Sequence, residues 1–289
     1  MKERFVSELH LGKKNIEKLG IVNDIIKEYL QQGYRLTLRQ LYYQLVSRDI
    51  IPNSVKEYGK LSGLLVKGRM AGHVDWEAIE DRIRIPKLPY YAKNIQDAMS
   101  DIVGAYRLNR QDGQDVYIEV WVEKDALSGV LLRVTRKYHI NLMVNRGYSS
   151  CTAMHDAYQR FDLEDDKERY ILYLGDHDPS GLDMIRDVKD RLGEFGLDDI
   201  NVIPVALTHE QIKKYKPPPN PAKVTDPRAN DYISEYGRVS WEVDALNPKI
   251  LNSLLEKAIL DLIDEDKYEE MLEKEKEDIA EIKEKFDME

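Results

Sequence analysis

Two aspartates stand two residues apart in YILYLGDHDPSG, Asp176 and Asp178, directly after an apolar run. A glutamate, Glu123, closes a second apolar run, VYIEVWVE. In extended chain, a two-residue spacing sends both aspartate side chains to the same side. Alone, such a pair is most simply a solvated turn. With a third acid at the end of another strand of the same sheet, it becomes a hard-oxygen site suited to Mg²⁺, with Mn²⁺ as a substitute. His177 lies between the aspartates and points the other way by the same alternation, so it takes a structural or supporting role.

A second chemical candidate lies far upstream, in LTLRQLYYQLVSRD. On a helix over 38–47, Leu38, Leu41, Tyr42, Leu45 and Val46 form one apolar stripe. Tyr42 therefore belongs to the core. Tyr43 lies about 100° further round, flanked by Arg39 and Ser47 at four residues either way. Its hydroxyl is expected at the rim, beside a cation able to stabilise phenolate or to grip phosphate. A phenol with its ordinary pKa of ~10 is a poor nucleophile without a base or a metal nearby. From this helix alone, an amphipathic rim residue is the simpler reading of Tyr43.

The elements that must position these residues follow from periodicity. Ile16, Leu19, Val22, Ile25, Ile26 and Leu30 predict a helix over 14–32, stopped by Gly33. Thr37 is the N-cap of the second helix, and Ser54 caps a third through about Met70, with Val55, Tyr58, Leu61, Leu64 and Leu65 as its apolar positions. Together they make a helix-turn-helix unit. A short helix is expected at 76–81, and a helical connector over 90–110. Strands then alternate with helices: 116–123, 126–138, 140–147, a helix after Ser149-Ser150, 169–176, 181–192 and 200–207. That order predicts a parallel sheet covered by helices on both faces. Residues 215–237 lack periodicity and read as a long functional loop or a linker. A charged helix is expected from about Leu251 onward. The chain divides accordingly into 1–110, 111–250 and 251–289.

Composition is that of a soluble globular protein: 289 residues, 42 % hydrophobic, 33 % charged. No apolar run approaches the ~20 residues that span a bilayer. MKERFVSELHLGKKN has no apolar h-region, so no secretory signal is expected. One cysteine, Cys151, excludes an internal disulfide and a cysteine-based zinc site, and the expected home is a reducing cytoplasm. The net charge of −10 is unevenly spread. Residues 1–110 carry 19 Lys and Arg against 13 Asp and Glu, whereas residues 256–289 carry 6 against 15. A mildly basic front and an acidic rear suit a molecule of which only part meets a polyanion.

EVWVEKDAL and YLGDHDPSG together resemble the Toprim domain shared by topoisomerases, primases and some nucleases. LRQLYY resembles the Arg-x-Ile/Leu-Tyr/Phe-Tyr helix motif of topoisomerase VI A subunits and the related meiotic double-strand-break transesterases. The resemblance covers roughly residues 20–250, and SGLLVKGRMAGHVDWEAIEDRIR and NPAKVTDPRANDY look like a compact prokaryotic or mobile-element branch. It implies an N-terminal winged-helix domain, then a Toprim domain, then an acidic C-terminal helix. It further implies Tyr43 as the nucleophile, linked to the 5′ end of double-stranded DNA, with Arg39 stabilising charge at the phosphate. Asp176 and Asp178 would hold Mg²⁺, and Glu123 would coordinate it or manage the proton of the leaving 3′ oxygen. In such a family the tyrosine of one protomer acts with the metal site of the other, so a homodimer is expected. Strand passage would need a separate ATPase subunit, which this chain does not encode. The third helix would meet the duplex through Lys56, Lys60, Lys67 and Arg69. Arg82, Arg84, Lys223 and Arg228 are further candidates for DNA contact. Two other readings stay open: a Toprim nuclease using metal-activated water, and a non-catalytic DNA-binding protein.

Overall fold

A computed structural model describes residues 2–6, 11–80, 88–221 and 228–286. The front begins with three helices, α1 (Lys13–Gln31), α2 (Leu38–Ser47) and α3 (Val55–Met70). Gly33, at φ 79°, takes the left-handed turn that ends α1. Thr37 opens α2 through a reciprocal cap: its Oγ1 accepts from the Gln40 amide at 3.2 Å, and Gln40 Oε1 accepts from the Thr37 amide at 2.8 Å. Ser54 caps α3 through the Glu57 amide. Leu19, Val22 and Ile25 of α1 meet Leu41 and Leu45 of α2 and Leu61 and Leu65 of α3 in one core. Val55, expected among the apolar positions of α3, is 90 % exposed, because the first turn of that helix projects beyond the core. After α3 come a 3-10 turn, Trp76–Ala78, and the isolated bridges Arg4–Ala71 and Leu36–Ile79. Among the described residues the front half holds no strand pair beyond such bridges.

The connector helix α4 (Ile95–Ala105) leads into β1 (Val116–Val122), α5 (Asp125–Tyr138), β2 (Asn141–Val144), α6 (Cys151–Asp162), β3 (Glu168–Leu174), α7 (Pro179–Glu194) and β4 (Asn201–Ala206). The four strands form one parallel sheet in the order β2-β1-β3-β4. Both faces are covered, as the alternation predicts. Ile118, Val120 and Val122 point to the face of α5, with Leu172 and Leu174 of β3. Tyr117 and Trp121, with Ile171 and Tyr173, point to the face of α6 and α7. The buried Glu119 in mid-β1 is held by Tyr117, Trp121 and Arg160, which satisfy both its oxygens.

The rear departs from the sequence expectation in two places. The described part of residues 209–241 forms α8 (His209–Tyr215), a two-residue antiparallel pair of β5 (Asn220–Pro221) with β6 (Val239–Ser240), and α9 (Ala229–Tyr236). The charged C-terminal helix is two helices, α10 (Pro248–Leu260) and α11 (Glu265–Lys285). Asp264 separates them by accepting from the amides of Asp266 and Lys267, which starts a new helix. Leu251, Leu255 and Ile259 of α10 are fully buried in the sheet core. Among the described residues no helix is long and apolar enough to cross a membrane.

Candidate functional site

The strand order decides where the carboxylates meet. From β1 the chain crosses to β2 on one side, while β3 lies on the other and leads to β4. The crevice between the C-terminal ends of β1 and β3 is thus the switch point, where open parallel sheets bind ligands. Glu123 follows β1 and Asp176 follows β3. The Glu123 amide continues the ladder onto Leu174 O at 2.9 Å, and Glu123 Oε2 accepts from the Asp176 amide at 2.9 Å. Asp178 is the N-cap of α7, with its Oδ1 accepting from the Gly181 amide at 2.7 Å and from Ser180 Oγ at 2.9 Å. Gly181 is required here, since a Cβ would stand 2.1 Å from Asp176 O. Glu123 is therefore beside the aspartate turn. His177 faces away, buried at 2 % exposure, with Nδ1 3.0 Å from the Tyr232 hydroxyl.

Three residues absent from the sequence reading complete the arrangement: Lys124, Glu242 and Asp244. Lys124 Nζ lies 2.7 Å from Asp176 Oδ1, 2.8 Å from Glu242 Oε2 and 3.0 Å from Asp244 Oδ1. Asp176 Oδ1 also accepts from the Val243 amide at 2.9 Å. Glu242 and Asp244 reach the site because paired backbone bonds between His177 and Trp241 dock their segment on the aspartate turn. Nothing periodic marks that segment in the sequence.

The front half closes the site from the other side. Arg39 Nε donates to Asp244 Oδ2 at 2.5 Å, and its Nη2 also pairs with Glu242. Its guanidinium lies 5.5 Å from the centre of the Tyr43 ring. Glu242 stands close enough to the Tyr43 hydroxyl to act on its titration. A cavity of about 400 Å³ is lined by Arg39, Tyr43 and Tyr58 on one side and by Asp176, Asp178 and Glu242 on the other. One chain thus brings together the tyrosine and the aspartates, which the resemblance assigns to different protomers.

One expectation is corrected. Tyr43 does not lie at the rim: it is 4 % exposed, like Tyr42, because residues 242–244 cover the face of α2 that a lone helix would leave open. Tyr42 is the core residue expected, with its hydroxyl donating to Asn53 Oδ1 and accepting from the Ser54 amide. Arg39 stands beside Tyr43, as the helix geometry predicts, and is engaged there by two carboxylates.

Electrostatics follow from burial and from five acids meeting two cations. Burial, with Asp244 and Glu242, raises the Tyr43 phenol against the pull of Arg39, so it stays protonated. Burial lifts the Asp176 carboxyl to about 8, opposed by Lys124 and reinforced by Glu123 and Asp244. Burial would raise Glu242 as well, but Lys124 and Arg39 hold it at about 2. Burial would lower Lys124, and Asp244, Asp176 and Glu242 outweigh it, so the ammonium remains charged.

As donors, Glu123, Asp176 and Asp178 suit a hard divalent ion, and the local excess of negative charge favours one. Among the described residues, no three His, Cys, Asp or Glu side chains are grouped to hold an ion as they stand. Asp176 is turned onto Lys124, and Asp178 onto the start of α7.

Of the candidate DNA contacts, Lys56, Lys60 and Lys67 lie on the exposed side of α3. Their spacing puts them within about 40° of one another, with Gly59 and Gly63 on the same stripe. Arg69 turns inward, bonding Trp76 O and Ile79 O with its guanidinium 4.7 Å over the Trp76 ring, which makes it a clamp on the following turn. Arg228 is engaged by Asp183 at 2.8 Å and lies over Tyr148. Arg82, Arg84 and Lys223 lie outside the described residues. No family model matches the chain, and no curated protein is significantly similar to it in sequence.

Proposed function

We propose that the chain is a divalent-metal-dependent, DNA-cleaving transesterase of the topoisomerase VI A-subunit type. In this reading residues 1–110 are a winged-helix domain, 111–250 a Toprim domain, and 251–289 an acidic helical extension. The observation that carries it is the cavity at the switch point, which Tyr43 shares with Asp176 and Asp178. Duplex DNA would lie against α3, whose Lys56, Lys60 and Lys67 face outward beside two glycines that let a backbone approach closely. Glu123, Asp176 and Asp178 would hold Mg²⁺ or Mn²⁺. The bound ion would neutralise charge on the phosphate and on the leaving oxygen.

Tyr43 Oη attacks the phosphorus, the bond from phosphorus to the 3′ oxygen breaks, and the 5′ phosphate remains on the tyrosine. The phenolic proton leaves as the bond forms, and the 3′ oxygen takes up a proton. In the arrangement described, Tyr43 is a resting phenol, shielded by Glu242 and Asp244. Arg39 must exchange those carboxylates for phosphate before it can stabilise the transition state. Activation therefore coincides with opening of the contact between α2 and residues 242–244.

The burial and raised pKa of Tyr43 favour one second reading, hydrolysis by metal-activated water with the same carboxylates. End-labelled duplex incubated with Mn²⁺ and run on a denaturing gel, with and without protease, separates the two. A transesterase yields label that migrates with protein until digestion, and Tyr43→Phe abolishes it. A hydrolase cuts without attached protein and tolerates Tyr43→Phe. Absence of any cleavage, together with no Mg²⁺ or Mn²⁺ binding by calorimetry in the presence of DNA, would leave a DNA-binding protein.

A further inference from the structure

The helical front and the sheet also meet at a second opening. A cleft of about 370 Å³ lies between the turn that joins α1 to α2 and the helix α5, lined by Tyr34 and Arg35 on one side, by Gly129 and Arg133 on the other, and by Glu80. Arg133 is fixed there. Its guanidinium lies 4.6 Å from the centre of the Tyr34 ring, and its Nη1 donates to Gln32 O at 3.3 Å. The ring is itself held, since the Tyr34 hydroxyl accepts from Asn252 Nδ2 at 3.0 Å. Gly33 makes room for the guanidinium: a Cβ would stand 3.2 Å from Nη1. Among the described residues that one bond occupies one of the five N–H donors of Arg133.

Arg35 and Arg133 are exposed, and among the described residues neither has a carboxylate partner. The chain carries a net charge of −10 and gives such partners to Arg39, Arg48, Arg110, Arg160, Arg169 and Arg228. Two guanidiniums left to one cleft therefore call for an anion from outside. The lining sets two arginines against one glutamate, which suits the single negative charge of a phosphodiester. Gly129, one turn before Arg133 on the same face of α5, has no side chain to block an approaching backbone. The cleft also shares its walls with the proposed active site. Its turn leads through Thr37 into α2, which carries Arg39 and Tyr43, and α5 starts directly after Glu123 and Lys124. The contact of Arg39 and Lys124 with Asp244 joins the same two elements.

We propose that this cleft holds a second phosphodiester of the bound DNA, distinct from the one attacked, with Arg35 and Arg133 donating to its oxygens. The proposal rests on the DNA-cleaving reading above. Both arginines are positioning residues: they keep the strand in register with Tyr43 and touch no reacting atom. The flat, ring-backed fork of Arg133 suits a two-point grip on phosphate, which a lysine there would not reproduce.

Fluorescence anisotropy of a labelled duplex across a salt series tests it. R35Q/R133Q should raise the dissociation constant by about tenfold or more and lower the slope of log K against log salt by up to about 1.8. R35K/R133K should keep the slope, which counts charges, and still lose affinity, because the fork is gone. A merely structural role for Arg133 would not split these two readouts. R35Q alone, at a side chain with no partner among the described residues, should lower the slope by up to about 0.9 with an unchanged melting curve. If the wild type binds duplex and R35Q/R133Q changes neither affinity nor slope, the second site is overturned while the DNA reading stands. If the wild type binds no duplex, the DNA reading has failed and the proposal with it. Calorimetric titration with adenosine monophosphate identifies the other source of phosphate: binding by the wild type that R35Q/R133Q abolishes gives the cleft to a free nucleotide and overturns the assignment to DNA.

Discussion

Asp244→Asn is the substitution whose effect the structure specifies best. The carboxylate is 1 % exposed and shared by Arg39 from the helical front and Lys124 from the sheet. The substitution keeps the shape and removes the charge, leaving two cations short of a partner. Losing one member of a buried ion pair costs ~3–5 kcal/mol. Here the Arg39 side chain is 41 % exposed and Glu242 remains beside both cations. Solvent screening and the remaining carboxylate bring the expected cost to about 2 kcal/mol. At the few degrees per kcal/mol typical of large domains, the melting midpoint should fall by about 5 °C. Calorimetry and urea unfolding read this directly, and Arg39→Met in a double-mutant cycle should show a coupling of about 1 kcal/mol or more. Asp244 joins the two cores, so the variant's unfolding transition should also broaden or divide. A midpoint unchanged within ~0.5 kcal/mol, with no coupling to Arg39, would refute the claim that this carboxylate ties front to rear.

Glu242→Gln tests the same junction through pH. The carboxyl is depressed from 4.5 to about 2, so its contribution is present above the unfolded value and is lost as pH falls through the folded one. Acid titration followed by circular dichroism should show the wild type losing stability between about pH 4.5 and pH 2, and Glu242→Gln losing less over that window. Thr37→Ala removes one half of the cap of α2 and should cost about 1 kcal/mol in urea unfolding. K56Q/K60Q/K67Q should weaken duplex binding and reduce the slope of log K against log salt by up to about 2.7, measured by fluorescence anisotropy. An unchanged slope would remove α3 from the DNA path.

Periodicity located every strand of the main sheet: the central β1 and β3 are buried and read as apolar runs, and the less buried edge strands β2 and β4 keep apolar residues between turn signals. It also placed α2 and α3 through Thr37 and Ser54, whose short polar side chains satisfy open helix amides. The convergence of Glu123 on the aspartate turn was legible because both follow such runs. Lys124, Glu242 and Asp244 were not, since a charged residue in irregular chain gains its role only from what folds against it. Tyr43 illustrates the same limit: its own helix described a rim, and a segment about 200 residues later buried it. The break between α10 and α11 was in principle readable, because Asp264 precedes an acidic first turn in the manner of a helix start.

Residues 243–246 pass alternately between the two cores. Val243 and Leu246 pack with the sheet, and Ala245 with the three front helices. During synthesis those helices emerge first and must wait for roughly 200 further residues before their last wall arrives. In the meantime the face of α2 that carries Tyr43 is uncovered, a greasy surface with a phenol at its edge. A nascent or truncated chain that stops short of Trp241 would carry that surface permanently. Such fragments should be drawn to holdase chaperones and prone to clump, even though their helices can form.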